Sequence, residues 1–173
     1  MAKISKTTIE SNAHKNIYDV VNNRDYVADP RKGAHRKFVY FSDPLHKSSS
    51  FKDFPYVVVA YPLIEYSKVS CNGKVKTIGF THKLFVRTVK DGSNNAITGS
   101  SEASQGMQDM WAIGDELNEL FNTETYKAAL RKLNIFMVNL NKDGFNDDLF
   151  MQEKNLFESE YTLKYELRLE VSD

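Results

Sequence analysis

The chain has 173 residues, 41% of them hydrophobic and 27% charged, and its 23 basic and 23 acidic side chains cancel. This composition fits a single globular domain over residues 1–173 and argues against a protein whose main task is to neutralise phosphates. The single cysteine, Cys71, excludes an internal disulfide framework, and the polar N-terminal segment and the short apolar run 56–64 predict neither a signal peptide nor a membrane span.

The first predicted element is an amphipathic helix over residues 7–24. Thr7 or Thr8 can cap its start, and Glu10 lies in the first turn, where the helix dipole favours a negative charge. Its apolar residues recur at helical spacing: Ile9, Ala13, Ile17, Val20 and Val21. We expect this helix to pack on a sheet.

Residues 25–55 are predicted to form a long, partly irregular loop, because prolines, a glycine and a serine tract interrupt them. Connections of this length are often functional. The short apolar run 38–41 predicts a strand, and a basic cluster precedes it. The residues of this cluster are candidate contacts with a partner: Arg31, Lys32, Arg36 and Lys37. Basic residues beside aromatics would suit single-stranded nucleic acid, but the neutral chain favours a solvated loop or one that orders on a protein partner.

Two strands joined by a tight turn are predicted next. Residues 54–61 are apolar on both faces, which is typical of a central strand, and Pro62 marks its end or a bulge. The turn falls at 71–74, and the strand Val75–Val89 follows with alternating polarity. His82 lies on its apolar face, where we expect a satisfied core histidine rather than a metal ligand.

The polar segment 91–104 predicts a flexible loop, and the clearest helix follows it over Met107–Phe121. Its apolar residues recur every three or four positions, and Gly114 in this stripe is predicted to permit close approach to the sheet. A shorter helix begins at Thr123. Its inward side chains are expected to be Tyr126, Leu130 and Leu133.

Residues 135–140 predict another strand, followed by a polar turn region through Asp148. Four residues there imitate the start of a calcium-binding loop: Asn139, Asn141, Asp143 and Gly144. The acidic residue that should close such a loop falls on Phe150, and strands flank the segment instead of helices. A hairpin turn rich in Asn, Asp and Gly is therefore the expected structure.

The strongest signal is the last segment, Phe157–Val171, in which apolar and charged residues alternate. Alternation places an apolar stripe on one side of a strand and a wet, charged stripe on the other. Since strands usually have about five or six residues, we expect part of this one to border a neighbouring subunit. The candidate interface residues on it are Glu158, Glu160, Lys164, Glu166 and Arg168.

Together these elements predict an α+β domain: a mostly antiparallel or mixed sheet of about four long strands, helices packed on one face, and long loops. The sequence contains no glycine-rich phosphate loop, no paired-cysteine metal site and no nucleophile elbow. We therefore expect neither enzyme activity nor a cofactor nor a bound metal.

The succession of elements resembles the tail terminator (tail completion) proteins of long-tailed phages and related viruses. The resemblance covers most of the chain, and the closing segment Tyr161–Glu170 is similar to the terminal strand of that family. It implies a homohexameric ring in the virion, assembled in the host cytoplasm, that caps the head-proximal end of the tail. The implied partners are the tail tube protein and the head connector proteins, with DNA passing through the ring but without specific nucleic-acid recognition and without a membrane.

Two other functions stay open. One is a different head–tail connector or a tail tube component; a tube subunit would polymerise into long tubes, whereas a terminator should stop at rings. The other is a small enzyme or nucleic-acid-binding module that uses the basic loop 31–37. Salt-dependent binding to DNA or RNA would favour that function.

Overall fold

The computed structural model describes residues 6–22, 38–40, 55–89, 105–146 and 156–170. Most of the predicted loop 25–55 and all of the predicted loop 91–104 lie outside these ranges. In chain order the elements are α1 (Lys6–Asn22), β1 (Phe38–Tyr40), β2 (Tyr56–Val59), β3 (Leu63–Val69), β4 (Val75–Val89), α2 (Gln105–Asn122), α3 (Glu124–Arg131), β5 (Ile135–Asn146) and β6 (Leu156–Glu170). Five strands pair antiparallel in one open sheet, and β1 is parallel to β2, so the predicted α+β class is confirmed.

Two strands of fifteen residues form the centre of the sheet. β4 and β6 pair along their whole lengths, from Val75 opposite Glu170 to Val89 opposite Leu156. On its other side β6 pairs with β5, so the terminal strand lies inside the sheet. β4 is as long as β6 and pairs with all of it. No part of β6 therefore extends beyond its partner strand, although its length alone suggested that some of it would.

The alternation in β6 does separate two faces of the sheet. Its apolar side chains are buried with those of β4 against α1 and α2, and Ser159 donates a hydrogen bond of 3.0 Å to the Met110 sulfur of α2. The opposite face is polar and, from Glu160 onward, partly exposed except at the buried Thr162. Glu158, however, is only 4% exposed, so the prediction that this stripe is wet along its whole length is wrong at its first residue.

Glycines permit close packing on both faces of the sheet. A β-carbon on Gly114 would overlap the Tyr161 hydroxyl, so the predicted close approach of α2 to the sheet is confirmed. On the polar face, the Tyr66 ring of β3 lies against Gly79 of β4, where a β-carbon would overlap three ring atoms. Glycine in a strand often marks such an approach.

Replacing Gly79 with alanine should lower the free energy of unfolding by about 1–3 kcal/mol, because the Tyr66 ring would have to move. Gly144→Ala is the matched control, since Gly144 lies in β5 and a β-carbon there meets nothing within 4 Å. Urea unfolding of the two variants measures the difference. Equal midpoints would show that the ring moves without loss of stability.

β2 and β3 lie end to end along one side of β4. β2 pairs with residues 84–87 and β3 with residues 76–81, and the chain breaks between them at 60–62. Pro62 has no N–H for the ladder, and the predicted strand end there is confirmed. β2 lies between β1 and β4 with all four residues buried, as predicted for a central strand. β3 itself was not predicted.

Two buried histidines bind consecutive carbonyls at this break. His14 of α1 donates from Nε2 to the Val59 oxygen at 2.8 Å, and His82 donates from Nδ1 to the Ala60 oxygen at 3.1 Å, since a carbonyl can only accept. Nε2 of His82 then accepts from the Tyr165 hydroxyl at 2.9 Å. Burial lowers the pKa of both histidines, that of His82 to about 4. His82 is thus the satisfied core residue that was predicted.

The short helix α3 confirms one of its predicted inward residues and contradicts another. Leu130 is 3% exposed and Tyr126 packs against the core while partly buried. Leu133 is 47% exposed, because the helix ends at Arg131 and Leu133 no longer follows its periodicity.

The predicted hairpin turn at 139–144 is wrong. These residues continue β5 as far as Asn146, paired with β6 through two register shifts. Asp143 accepts hydrogen bonds from Lys83 of β4 and Thr162 of β6. These contacts across the polar face compensate for the low strand propensity of Asn, Asp and Gly.

Candidate interaction surface

The candidate site is the polar side of the sheet, opposite α1 and α2. We call it the charged face and define it by the charged side chains of four strands: Glu65, Lys83, Asp143, Glu160, Lys164, Glu166 and Arg168. Residues directly opposite each other in antiparallel strands share a face, so the register of β4, β5 and β6 gathers them. Four of the five predicted interface residues on β6 belong to it.

Lys83 is the centre of a first cluster on the charged face. Its Nζ lies 2.7 Å from a carboxylate oxygen of Asp143 and 2.7 Å from one of Glu160. Hydrogen bonds to Asp143 and then Glu160 raise the pKa of Lys83. Burial would raise the pKa of Asp143, but hydrogen bonds from Lys83 and Thr162 outweigh it and hold that pKa below its usual range. Lys83 and Asp143 are therefore both charged at neutral pH.

Glu65 of β3 forms the second cluster. It accepts a hydrogen bond of 2.5 Å from the Thr81 hydroxyl and lies 3.2 Å from Nζ of Lys164. The Thr81 bond first, and then Lys164, lower the pKa of Glu65. This cluster joins β3 to β6 across β4.

Glu166 is held by two partners in the third cluster. The Tyr66 hydroxyl donates to it at 2.6 Å over Gly79, and the Arg168 guanidinium lies 3.3 Å from its other oxygen. The Tyr66 bond is the main reason that the pKa of Glu166 is lowered and that of Tyr66 is raised. Arg168 also stacks over the Phe136 ring, 4.4 Å from its centroid.

Glu158, the fifth candidate on β6, is a core residue instead. It forms an ion pair with Arg87 directly across the ladder, and both side chains are 5% exposed. Arg87 also reaches the Tyr56 hydroxyl at 3.4 Å and stacks over Phe85. The alternation correctly placed Glu158 on the polar side of β6. Its partner Arg87 lies 71 residues away in the chain, so the sequence around Glu158 gave no sign of the ion pair.

The four basic candidates of the loop, Arg31, Lys32, Arg36 and Lys37, lie outside the described residues. The structure therefore brings together the candidates on β6 only. It adds residues that sequence patterns did not select: Glu65, Tyr66, Lys83 and Asp143. These were hidden because their importance depends on strand register, which links β3, β4 and β5 to β6.

Each charged side chain of the charged face contacts an opposite charge in the same chain. The result is a surface of alternating sign rather than a basic patch. Alternating charges recognise a partner with the complementary pattern and fix its register, whereas a phosphate backbone calls for an excess of Lys and Arg. The geometry suits a protein partner.

The described part of the chain holds no group of three or more His, Cys, Asp or Glu side chains that could bind a metal ion. Within the same ranges, no helix has the length and apolar character needed to cross a membrane. A scan against protein-family models finds no match, and a search of curated proteins finds none either.

Proposed function

We propose that the chain is a structural virion protein, a tail terminator whose copies close into a homohexameric ring. This ring caps the tail tube and joins it to the head connector. The observation that carries the proposal is the charged face, whose charges of both signs are fixed in place by contacts within the chain. A surface ordered before binding loses little side-chain entropy when a partner docks. The order of α and β elements, which resembles that family, supports the same function.

The oligomeric state of the purified protein tests this proposal. We expect closed rings of six copies in negative-stain images and a matching mass in sedimentation analysis as the concentration is raised. Long tubes would instead identify a tube subunit, and a stable dimer or a persistent monomer would contradict the ring. Salt-dependent retention on DNA or RNA would favour the nucleic-acid alternative.

Exchanging the charges of Glu166 and Arg168 should weaken ring assembly more than folding. The double variant Glu166→Arg, Arg168→Glu keeps one charge of each sign but reverses the pattern shown to a partner. We expect a change of about 1 kcal/mol or less in the free energy of unfolding, and at least a tenfold increase in the concentration needed for rings. Sedimentation and urea unfolding measure the two effects separately.

The control for this exchange is the exposed pair Lys15 and Asp19 on α1, with side chains 64% and 40% exposed. Exchanging those two charges should leave both folding and assembly unchanged. If the variant of Glu166 and Arg168 assembles like this control, the charged face is not an interface and β6 has a purely structural role.

A further inference from the structure

Met137 projects from the sheet in an unusual backbone conformation. It lies in a register shift of β5 between Phe136 and Asn139, with φ of +51°, and is 72% exposed. Positive φ is rare for a residue with a long side chain, and a bulge re-aims the side chain of the residue within it. Met137 is also the most exposed of the large apolar residues among those that the structure describes. Strand β5 thus presents an apolar knob to solvent at Met137.

The surroundings of the knob are mainly basic. Met137 lines a groove of about 380 Å³ between α3 and the start of β5. Its charged lining residues are Lys127, Arg131, Arg168 and Glu124. Arg131 pairs with Glu124 at 3.0 Å and Arg168 with Glu166 at 3.3 Å, so the net positive charge of the lining comes from Lys127. We call this the knob surface: Met137 with Lys127, Arg131 and Arg168.

A second groove, of about 420 Å³, lies between α2 and strands β5 and β6. Trp111, 49% exposed, forms one wall, and Leu140 and Tyr161 line it as well. Its charged lining residues are Asp115 and Lys142. The exposed Glu119 follows Asp115 by one turn of α2 and extends the acidic edge of the groove along the helix. We call this the α2 groove.

We propose that the knob surface of one copy docks in the α2 groove of a second copy. Met137 enters the groove beside Trp111, where a thioether contacts an aromatic ring favourably. Lys127 and Arg131 face Asp115 and the exposed Glu119 of α2. Each surface offers an apolar group and a charge of opposite sign to the other, Met137 and Lys127 on one and Trp111 and Asp115 on the other, so the occupant that the chain itself offers is another copy of the chain.

This contact joins two different surfaces, and it is therefore a head-to-tail contact of the kind that generates closed rings. The inference rests on the proposed ring and supplies the interface through which its copies associate. Arg168 belongs to both the knob surface and the charged face. The contact therefore also explains why exchanging the charges of Glu166 and Arg168 should weaken ring assembly.

Met137→Gly tests the knob without endangering the fold. Glycine adopts positive φ readily, so the variant should unfold at the same urea concentration as the wild type or at a higher one. Removing the central apolar side chain should raise the concentration needed for rings at least tenfold. Leu63→Ala, at an apolar position on β3 that is 70% exposed, is the control and should assemble normally. Normal assembly of Met137→Gly would overturn the inference.

Charge exchange then tests the pairing itself. Lys127→Glu and Asp115→Lys should each prevent ring formation, because each places like charges at every contact. An equimolar mixture should restore rings, since strict alternation of the two variants gives one exchanged contact and one original contact in turn, and six is an even number. Native mass spectrometry should find three copies of each variant per ring.

The outcomes separate the two proposals. If the wild type forms rings but the mixture does not, or if either variant alone assembles normally, this interface is wrong and the ring stands. If the wild type forms no ring at any concentration, both proposals fail. Rings with equal numbers of the two variants would confirm the contact.

Discussion

Replacing Glu158 with glutamine should lower the free energy of unfolding by about 3–5 kcal/mol, because it leaves a buried guanidinium charge without its carboxylate. Both side chains of the pair are 5% exposed. Arg87 keeps its proton throughout the pH range in which proteins fold. Arg87 also contacts the Tyr56 hydroxyl and the Tyr56 and Phe85 rings, which are uncharged groups. Urea unfolding at neutral pH measures the loss.

Glu160→Gln is the matched control on the same strand. Glu160 pairs with Lys83, but these side chains are 35% and 43% exposed and Lys83 retains Asp143, so the expected loss is less than about 1 kcal/mol. The double variant Arg87→Met, Glu158→Leu should recover most of the stability that Glu158→Gln loses, because it removes both buried charges. Equal losses for Glu158→Gln and Glu160→Gln would contradict the assignment of Glu158 to the core.

The elements with a regular period were predictable because the period is recorded in consecutive residues. β4 begins and ends at the predicted residues, and β6 is displaced by one residue from the predicted Phe157–Val171. The apolar stripe of α2, except for the exposed Trp111, and the close approach at Gly114 are likewise local patterns. In each case the pattern of consecutive residues shows which face of the helix or strand is apolar, whatever element packs on that face.

Features that depend on pairing between distant segments were not predictable. β3 alternates between exposed and half-buried positions and has no apolar run. It is held instead by long-range contacts, such as that between Tyr66 and Glu166. The same reason accounts for β5, where the turn-like residues 139–144 continue as a strand because Asp143 meets Lys83 from two strands away. Local preference was overridden by tertiary contacts.

The candidate site was predicted in part for the same reasons. Alternation alone placed Glu160, Lys164, Glu166 and Arg168 on one face, and the structure keeps them there with partners across the sheet. The alternation could not indicate that Glu158 is buried. A period of two residues shows on which face of the strand a side chain lies, but not which residues pack on that face. The role of the charged face in assembly stays a prediction.

Acidification from pH 7 to pH 5 should destabilise the protein by about 2 kcal/mol through His82 alone, and by about 3 kcal/mol once its titration is complete. Burial holds the pKa of His82 at about 4, against 6.5 for an ordinary histidine. Between these two pH values His82 therefore binds a proton in the unfolded chain but not in the folded one. Stability from this group is fully present above pH 6.5 and is lost as the pH falls toward 4.

The groups that face His82 either lower its pKa further or stay neutral between pH 7 and pH 5. His14 of α1, with its ring centroid 6.0 Å away, also has a lowered pKa, and a charge on either ring would disfavour one on the other. Burial raises the pKa of Tyr165, so its hydroxyl stays neutral in this range. The lowered pKa values of Glu65, Asp143 and Glu166 affect stability only at lower pH.

Urea unfolding at pH 7 and pH 5 measures the loss, and nuclear magnetic resonance of the imidazole nitrogens assigns it to His82. The variant His82→Gln should be less stable at pH 7, because it disturbs the bonds to Ala60 and Tyr165, but its stability should change less between the two pH values. A titration of His82 near 6.5 in the folded protein would contradict this account. It would mean that water reaches the break between β2 and β3, where two histidines now bind the carbonyls of Val59 and Ala60.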